Sequence, residues 1–166
     1  MRIISHRGNL TGPEKSRENQ EFALIESLER GFDVEFDLWY MGDRFWLGHD
    51  VPEKTFSIDT LVHWTSRYSN QKMYVHCKNV WAMEKMTYFV ISNMIPFFHD
   101  ADQCILLRDN TIWVHPNAIY TCSSKEKSIA VYPSCKKTEY DVSLDINMSG
   151  FYGICTDYPV DLRNSL

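Results

Sequence analysis

The chain has 166 residues, 44% hydrophobic and 14% aromatic, enough apolar material for one domain with a real core, which excludes a disordered tail. Its formal net charge is −5 and its Lys and Arg residues are scattered, so it lacks the basic face of a nucleic-acid binder or of a protein held on an anionic membrane. Five cysteines, an odd number with no CxxC pair, read as reduced thiols in a cytoplasm. The opening MRIISHRGNL has no apolar stretch long enough for a signal peptide, and no run reaches membrane-spanning length, so no stable membrane insertion is expected.

Short apolar runs alternate with helical patterns along the chain. Arg2 to Ser5 is a strand candidate. Glu18 to Arg30 spaces Phe22, Ile25 and Leu28 as a helix does, with Gly31 as its stop. DVEFDLW follows as a strand, and RFWLGHD pairs with it through a turn at Met41-Gly42-Asp43. Ser57 to Arg67 reads as a helix with Ser57 at its N-cap, MYVHCK as a strand, and Val80 to Asn93 as a helix ended by Pro96. PFFHD, CILLRD and TIWVHP are strands, the last two joined by a turn at Asp109-Asn110. SIAVYP and FYGICTDYP supply two more. The early alternation predicts parallel βα units, interrupted between Asp100 and Pro116 by an antiparallel hairpin, all within a single domain spanning 1–166.

Polar residues gather at equivalent positions of these strands. His6-Arg7-Gly8 follows the first, and Glu35 and Asp37 lie in the second. His49-Asp50 follows the hairpin, and His76 and Lys78 end the third strand pattern. Side chains two apart share a face, so Glu35 and Asp37 project together, as do His76 and Lys78. Two adjacent carboxylates repel, and burial makes this costly unless a cation lies between them; a solvated acidic face on an edge strand is the alternative. In a parallel α/β protein the carboxyl ends of strands converge on the active site. His99-Asp100, Trp113 and His115 are further pocket candidates, His63 lies in a helix, and Asp157 either orients His6 or closes the barrel.

His6-Arg7-Gly8, Glu18-Asn19, Glu35-x-Asp37 and His49-Asp50, in that order and spacing, resemble the glycerophosphodiester phosphodiesterase family, part of the phosphatidylinositol-phospholipase-C-like superfamily of TIM barrels. Gly153 to Pro159, GICTDYP, looks like that family's final-strand motif. The match covers residues 1–50, returns at 73–79 and 150–159, and is weak between. The resemblance implies a metal-dependent phosphodiester hydrolase acting on a small glycerophosphodiester-like molecule in lipid metabolism. It implies His6 and His49 as the acid–base pair and Arg7 and Lys78 as phosphate contacts. It also implies Glu35, Asp37 and Glu18, with His76, around one divalent cation (Mg, Ca or Mn). Such chemistry needs a Lewis acid, a base for the nucleophile and an acid for the leaving alkoxide.

Two departures stand out. The family carries Glu-x-Lys where this chain has His76-Cys77-Lys78, which removes a negative charge from the metal site. A TIM barrel also takes about 250 residues. The expected fold is therefore a shortened TIM-like (β/α) barrel with fewer than eight βα units and a β-hairpin insertion, or one completed by a partner in a homo-oligomer. Two rival functions remain: a cyclising phospholipase-like enzyme, for which the sequence displays no apolar rim, and a catalytically silent binder of phosphorylated metabolites or sugars.

Overall fold

The computed structural model describes residues 1–137, 140–141 and 146–166. In chain order the elements are β1 (Arg2–His6), α1 (Glu21–Glu29), β2 (Asp33–Met41), β3 (Arg44–Leu47), β4 (Lys54–Phe56), α2 (Ile58–Arg67), β5 (Met73–Cys77), α3 (Val80–Met86), β6 (Met94–Phe97), β7 (Cys104–Leu106) and β8 (Ile112–Val114). They continue with β9 (Ser128–Val131), β10 (Tyr140–Asp141), β11 (Ile146–Asn147), β12 (Gly153–Thr156) and α4 (Pro159–Asn164); short 3-10 turns at Pro116–Thr121 and Lys125–Lys127 join β8 to β9. Among the described residues no helix is long and apolar enough to cross a membrane.

The strands expected from the sequence are present, and both expected hairpins form, β2–β3 and β7–β8. The barrel is not. One mixed sheet of ten strands runs β4-β3-β2-β1-β12-β9-β8-β7, with β5 on the other edge of β2 and β6 beyond it. This sheet curls into a half-barrel: among the described residues β6 pairs only with β5 and β7 only with β8, so no seam closes it. The shortened (β/α) barrel is therefore corrected to a curled, open, mixed sheet with few helices. The physical reason lies in the connections. A (β/α) barrel places a helix after every strand. Here the chain passes from β6 to the antiparallel β7 without a helix, and from β8 to β9 through the 3-10 turns alone.

Two helices are shorter than their sequence patterns. The first begins at Glu21, because Asn19 takes a left-handed φ of 57° that interrupts helical geometry and leaves Glu18 and Asn19 in a loop. The third ends at Met86. Farther along, Asn93 is a latch whose Nδ2 donates to the carbonyls of Thr65, Tyr68 and Gln71 at 3.0, 3.2 and 3.2 Å.

Strand alternation sorts the side chains into two faces. Val34, Phe36 and Leu38 point outward and pack under the helices with Leu24, Leu61 and Trp64. A second outer cluster joins Val114, Ala130, Ile154 and Leu162. On the concave face Ile4, Tyr74, Trp113, Ile129 and Cys155 form an apolar layer. Each of these concave residues except Ile129 lies two residues before a polar group discussed below: His6, His76, His115 and Asp157. The inner apolar layer is the floor on which the site stands.

Candidate functional site

Position 37 is where the sheet makes room for chemistry. Along one edge of β2, β1 covers Asp33–Glu35 and β3 covers Leu38–Met41, so Asp37 sits at the changeover between partners. Its free N–H donates to Asn19 Oδ1 (2.9 Å), and Asn19 Nδ2 donates back to Asp37 Oδ2 (3.0 Å). This two-point clamp depends on the left-handed backbone at Asn19, one of the few side-chain-bearing types that accept it readily. Arg7 is also left-handed (φ 54°), locked by Arg7 N–H donating to the Glu35 carbonyl at 2.9 Å and by Asn19 N–H donating to the Arg7 carbonyl at 3.0 Å.

Basic side chains converge on Asp37, which is buried. Arg7 Nε lies 3.2 Å from its Oδ2; His76 Nδ1 and Lys78 Nζ lie 3.0 and 3.5 Å from its Oδ1. Burial alone would raise the Asp37 pKa, but His76, Arg7 and Lys78 together hold it well below the usual carboxylate range. Glu35 behaves oppositely. Burial, then the adjacent Asp37 charge, push its pKa up, with only partial relief from His6, Arg7 and His76. Two carboxylates side by side thus differ in their hold on a proton.

Glu35, Asp37 and His76 offer ligand atoms within 4.8 Å of one another. Oxygen and nitrogen donors about 2.0–2.6 Å from one ion have this mutual spacing. His76 Nε2 is buried without a hydrogen bond, whereas Asp37 Oδ1 already faces His76 Nδ1 and Lys78 Nζ. The three residues fit a divalent cation. Glu18 does not join them: its Oε2 accepts from Arg7 Nη1 and its Oε1 from Asn9 Nδ2, both at 3.3 Å. The expected ligand role of Glu18 is replaced by one of steering Arg7.

His6 stands beside this cluster, its Nε2 4.0 Å from Glu35 Oε2 and its Nδ1 2.7 Å from Asp157 Oδ1. Burial works to lower its pKa, yet the Asp157 hydrogen bond and the Glu35 charge prevail and raise it. Asn9 was not foreseen from the sequence. It is 1% exposed and donates to Asp157 at 2.8 Å, so Asp157 is fixed from both sides. No periodic signal marks such a loop residue.

A cavity of about 220 Å³ opens over these groups. Five of the six histidines line it: His6, His49, His76, His99 and His115. His49 reaches it because Gly48 (φ 145°) turns the chain so tightly that a Cβ there would collide with the Val51 carbonyl oxygen. His49 bonds to Asp50 at 2.7 Å, and burial lowers its pKa. His76 stacks on Phe97 and His99 with ring centroids 5.0 and 4.5 Å away. Burial and the neighbouring His76 take His99 down to about 4, leaving it neutral. Of the secondary candidates, Trp113 also lines the cavity, while His63 lies in α2, away from it. No family model matches the chain and no curated protein matches it.

Proposed function

We propose that the chain is a metal-dependent phosphodiesterase similar to the glycerophosphodiester phosphodiesterase family in the chemistry of its site. The observation that carries this reading is the convergence of five histidines, Arg7 and Glu35 on one cavity beside the Glu35–Asp37–His76 donor set. Arg7 lines the cavity, and Lys78, beside Asp37, adds a second positive charge close to it, which favours an anionic phosphodiester there. Glu35, Asp37 and His76 would hold the cation, which when bound supplies Lewis-acid neutralisation of charge on a non-bridging phosphate oxygen.

The two catalytic histidines divide the proton transfers between them. His49, whose lowered pKa keeps it neutral, takes the proton of an attacking water or substrate hydroxyl. His6, its Nδ1–H directed at Asp157, gives a proton from Nε2 to the departing alkoxide. Water as nucleophile leaves a phosphomonoester; a substrate hydroxyl leaves a cyclic phosphodiester. The test is release of nitrophenol from a soluble bis(nitrophenyl) phosphate with Mg, Ca, Mn or Zn, and with chelator. Turnover should need a metal and should drop about a hundredfold or more in His6→Ala and His49→Ala. Turnover that is absent with every metal, or unchanged in both variants, refutes the reading.

A further inference from the structure

Two edges of the curled sheet face each other without pairing. Traced through the parallel strands, β6 and β7 run in opposite senses, and residues 98–103 join them. The gap between them is a cavity of about 700 Å³, in the size range of ligand clefts, and it shares no lining residue with the histidine-lined one. Pro96, Phe97 and Phe98 line one side, and Ile105, Leu106 and Leu107 the other. Leu106 is 71% exposed, too much for a side chain at rest in a core.

The hydrogen bonds show what each edge offers. Met73 N–H donates to the Asn93 carbonyl, so Asn93, Ile95 and Phe97 turn their backbone groups toward β5, and Met94 and Pro96 face the gap. Met94 is already engaged, its N–H by the Ile91 carbonyl and its own carbonyl by Arg108, and Pro96 has no N–H. The edge of β6 is blunted. On β7, Gln103 and Leu107 bond to His115 and Thr111 across the hairpin, so Ile105 between them also faces β8. Cys104 and Leu106 turn their N–H and C=O groups the other way, to the gap, and among the described residues no loop or side chain pairs with them. An unpaired row of this kind is a template for another strand.

We propose that this edge binds an extended peptide segment of a partner protein, which joins the sheet as a strand beside β7. Alternate side chains of that strand enter the apolar cavity and are themselves apolar. A lone strand fits where a sheet does not. A second copy of the chain offering its own β7 would bring its β8 into the place held by β6. Charge defines the flanks of the segment. Arg108, the one charged residue lining the cavity, is spent on the carbonyls of Phe89, Ile91 and Met94, and leaves no cation for an acidic partner. Asp100 and Asp102 stand exposed in the connection from β6 to β7, on a chain of net charge −5. A basic residue beside the apolar run complements them.

The probes are a panel of short fluorescein-labelled peptides with Lys at both ends and Val, Ile, Phe or Thr between, measured against the full chain by anisotropy. Each is also made with N-methyl groups on alternate backbone nitrogens, in both phases, so that one phase removes the N–H groups facing β7. The expected result is binding that weakens about tenfold or more in one methylated phase only, through loss of its hydrogen bonds. Glu in place of the terminal Lys should also weaken binding, and Asp100→Asn with Asp102→Asn should remove that preference. Leu106→Lys, at an exposed position, should weaken binding about tenfold, and amide exchange at Cys104 and Leu106 should slow when peptide is added. Absence of binding across the panel overturns the proposal. Equal binding of the unmethylated peptide and both methylated phases also overturns it, and makes the cavity a site for apolar molecules in general. Protection of both amides before peptide is added overturns it too; a dimer that Leu106→Lys dissociates would then assign the edge to a second copy.

Discussion

His6 shows how much of a buried side chain's behaviour is set by residues remote in sequence. Its Nδ1 faces Asp157, 151 positions away, and Asp157 is in turn held by Asn9. An imidazole bonded in this way through Nδ1 has its Nε2 aimed at the site, and the carboxylate favours the imidazolium form, in which Nε2 carries the proton that an acid for a leaving alkoxide has to give. Asp157→Asn should therefore lower kcat more than it raises KM, by about tenfold or more. The sign of the pH effect follows from the cause. Asp157 raises the His6 pKa, so its loss moves the alkaline limb of the pH–rate profile to lower pH. An unmoved limb with reduced kcat would assign Asp157 to packing alone. Arg7 is equally conditioned: Glu18 and Asp37 grip its guanidinium from two sides, and its backbone sits in the left-handed region.

Within the strands, the period of two builds the inner face in tiers. Arg2, Ile4 and His6 follow one another on β1; Asp33, Glu35 and Asp37 on β2; and Lys72, Tyr74 and His76 run into and along β5. The lowest tier is a belt of ion pairs. Arg2 bonds Asp33 through two nitrogens, and Lys72 Nζ donates to Asp109 (2.6 Å) and to the Tyr152 hydroxyl (3.0 Å). Asp109 thereby ties the β7–β8 hairpin to the start of β5, across the side of the curl where β6 and β7 do not pair. Burial would raise the Asp109 pKa, but bonds from Lys72 and Thr111 lower it; burial would lower Lys72, but Asp109 and Tyr152 raise it. A depressed carboxylate stabilises above its unfolded pKa of about 4 and loses that stability as pH falls through the folded value. A raised ammonium stabilises below about 10.4 and loses that as pH rises through its own folded value. Asp109→Asn should thus cost about 1–3 kcal/mol at pH 7, measured by urea unfolding, with the difference from the parent closing as pH falls through the lowered folded pKa of Asp109. A difference that persists undiminished at low pH would mean the asparagine disrupts the turn itself.

For the molecule as a whole, the site concentrates charge, two buried carboxylates set among Arg7, His76 and Lys78. Glu35 and Asp37 are 3% and 0% exposed, and burying two like charges is unfavourable without compensation. A cation bound to the native state alone raises stability by mass action. Millimolar Mn or Zn should raise the Tm of the parent and leave Glu35→Ala/Asp37→Ala unmoved. The imidazole at position 76 suits Mn or Zn better than Mg or Ca, which prefer oxygen shells, so His76→Glu should shift the ranking of Tm gains toward Mg and Ca. An unchanged ranking would remove His76 from the ligand set. The open sheet is compatible with such a site because the groups involved come from β1, β2, β5 and their neighbours. These strands are parallel to one another and carry helical cover from α1 and α3.

Most strands, both hairpins, and the shared face of Glu35 and Asp37 were legible in the sequence, because a period of two and turn-forming residues are local properties of the chain. So was the grouping of His6, Glu35, His49 and His76 at strand ends, which needed only the order of elements along the chain. Closure of the sheet was not legible. It depends on whether β6 finds β7, a pairing of edges that no local pattern encodes. Nor was the position of Glu18 outside the Glu35–Asp37–His76 group, where it pairs with Arg7 instead. The meeting of His99 and His115 with His76 was decided by tertiary structure alone. Burial and proximity are properties of surfaces brought together in space, and a linear pattern of apolar and polar residues states which side chains share a face without stating what that face meets.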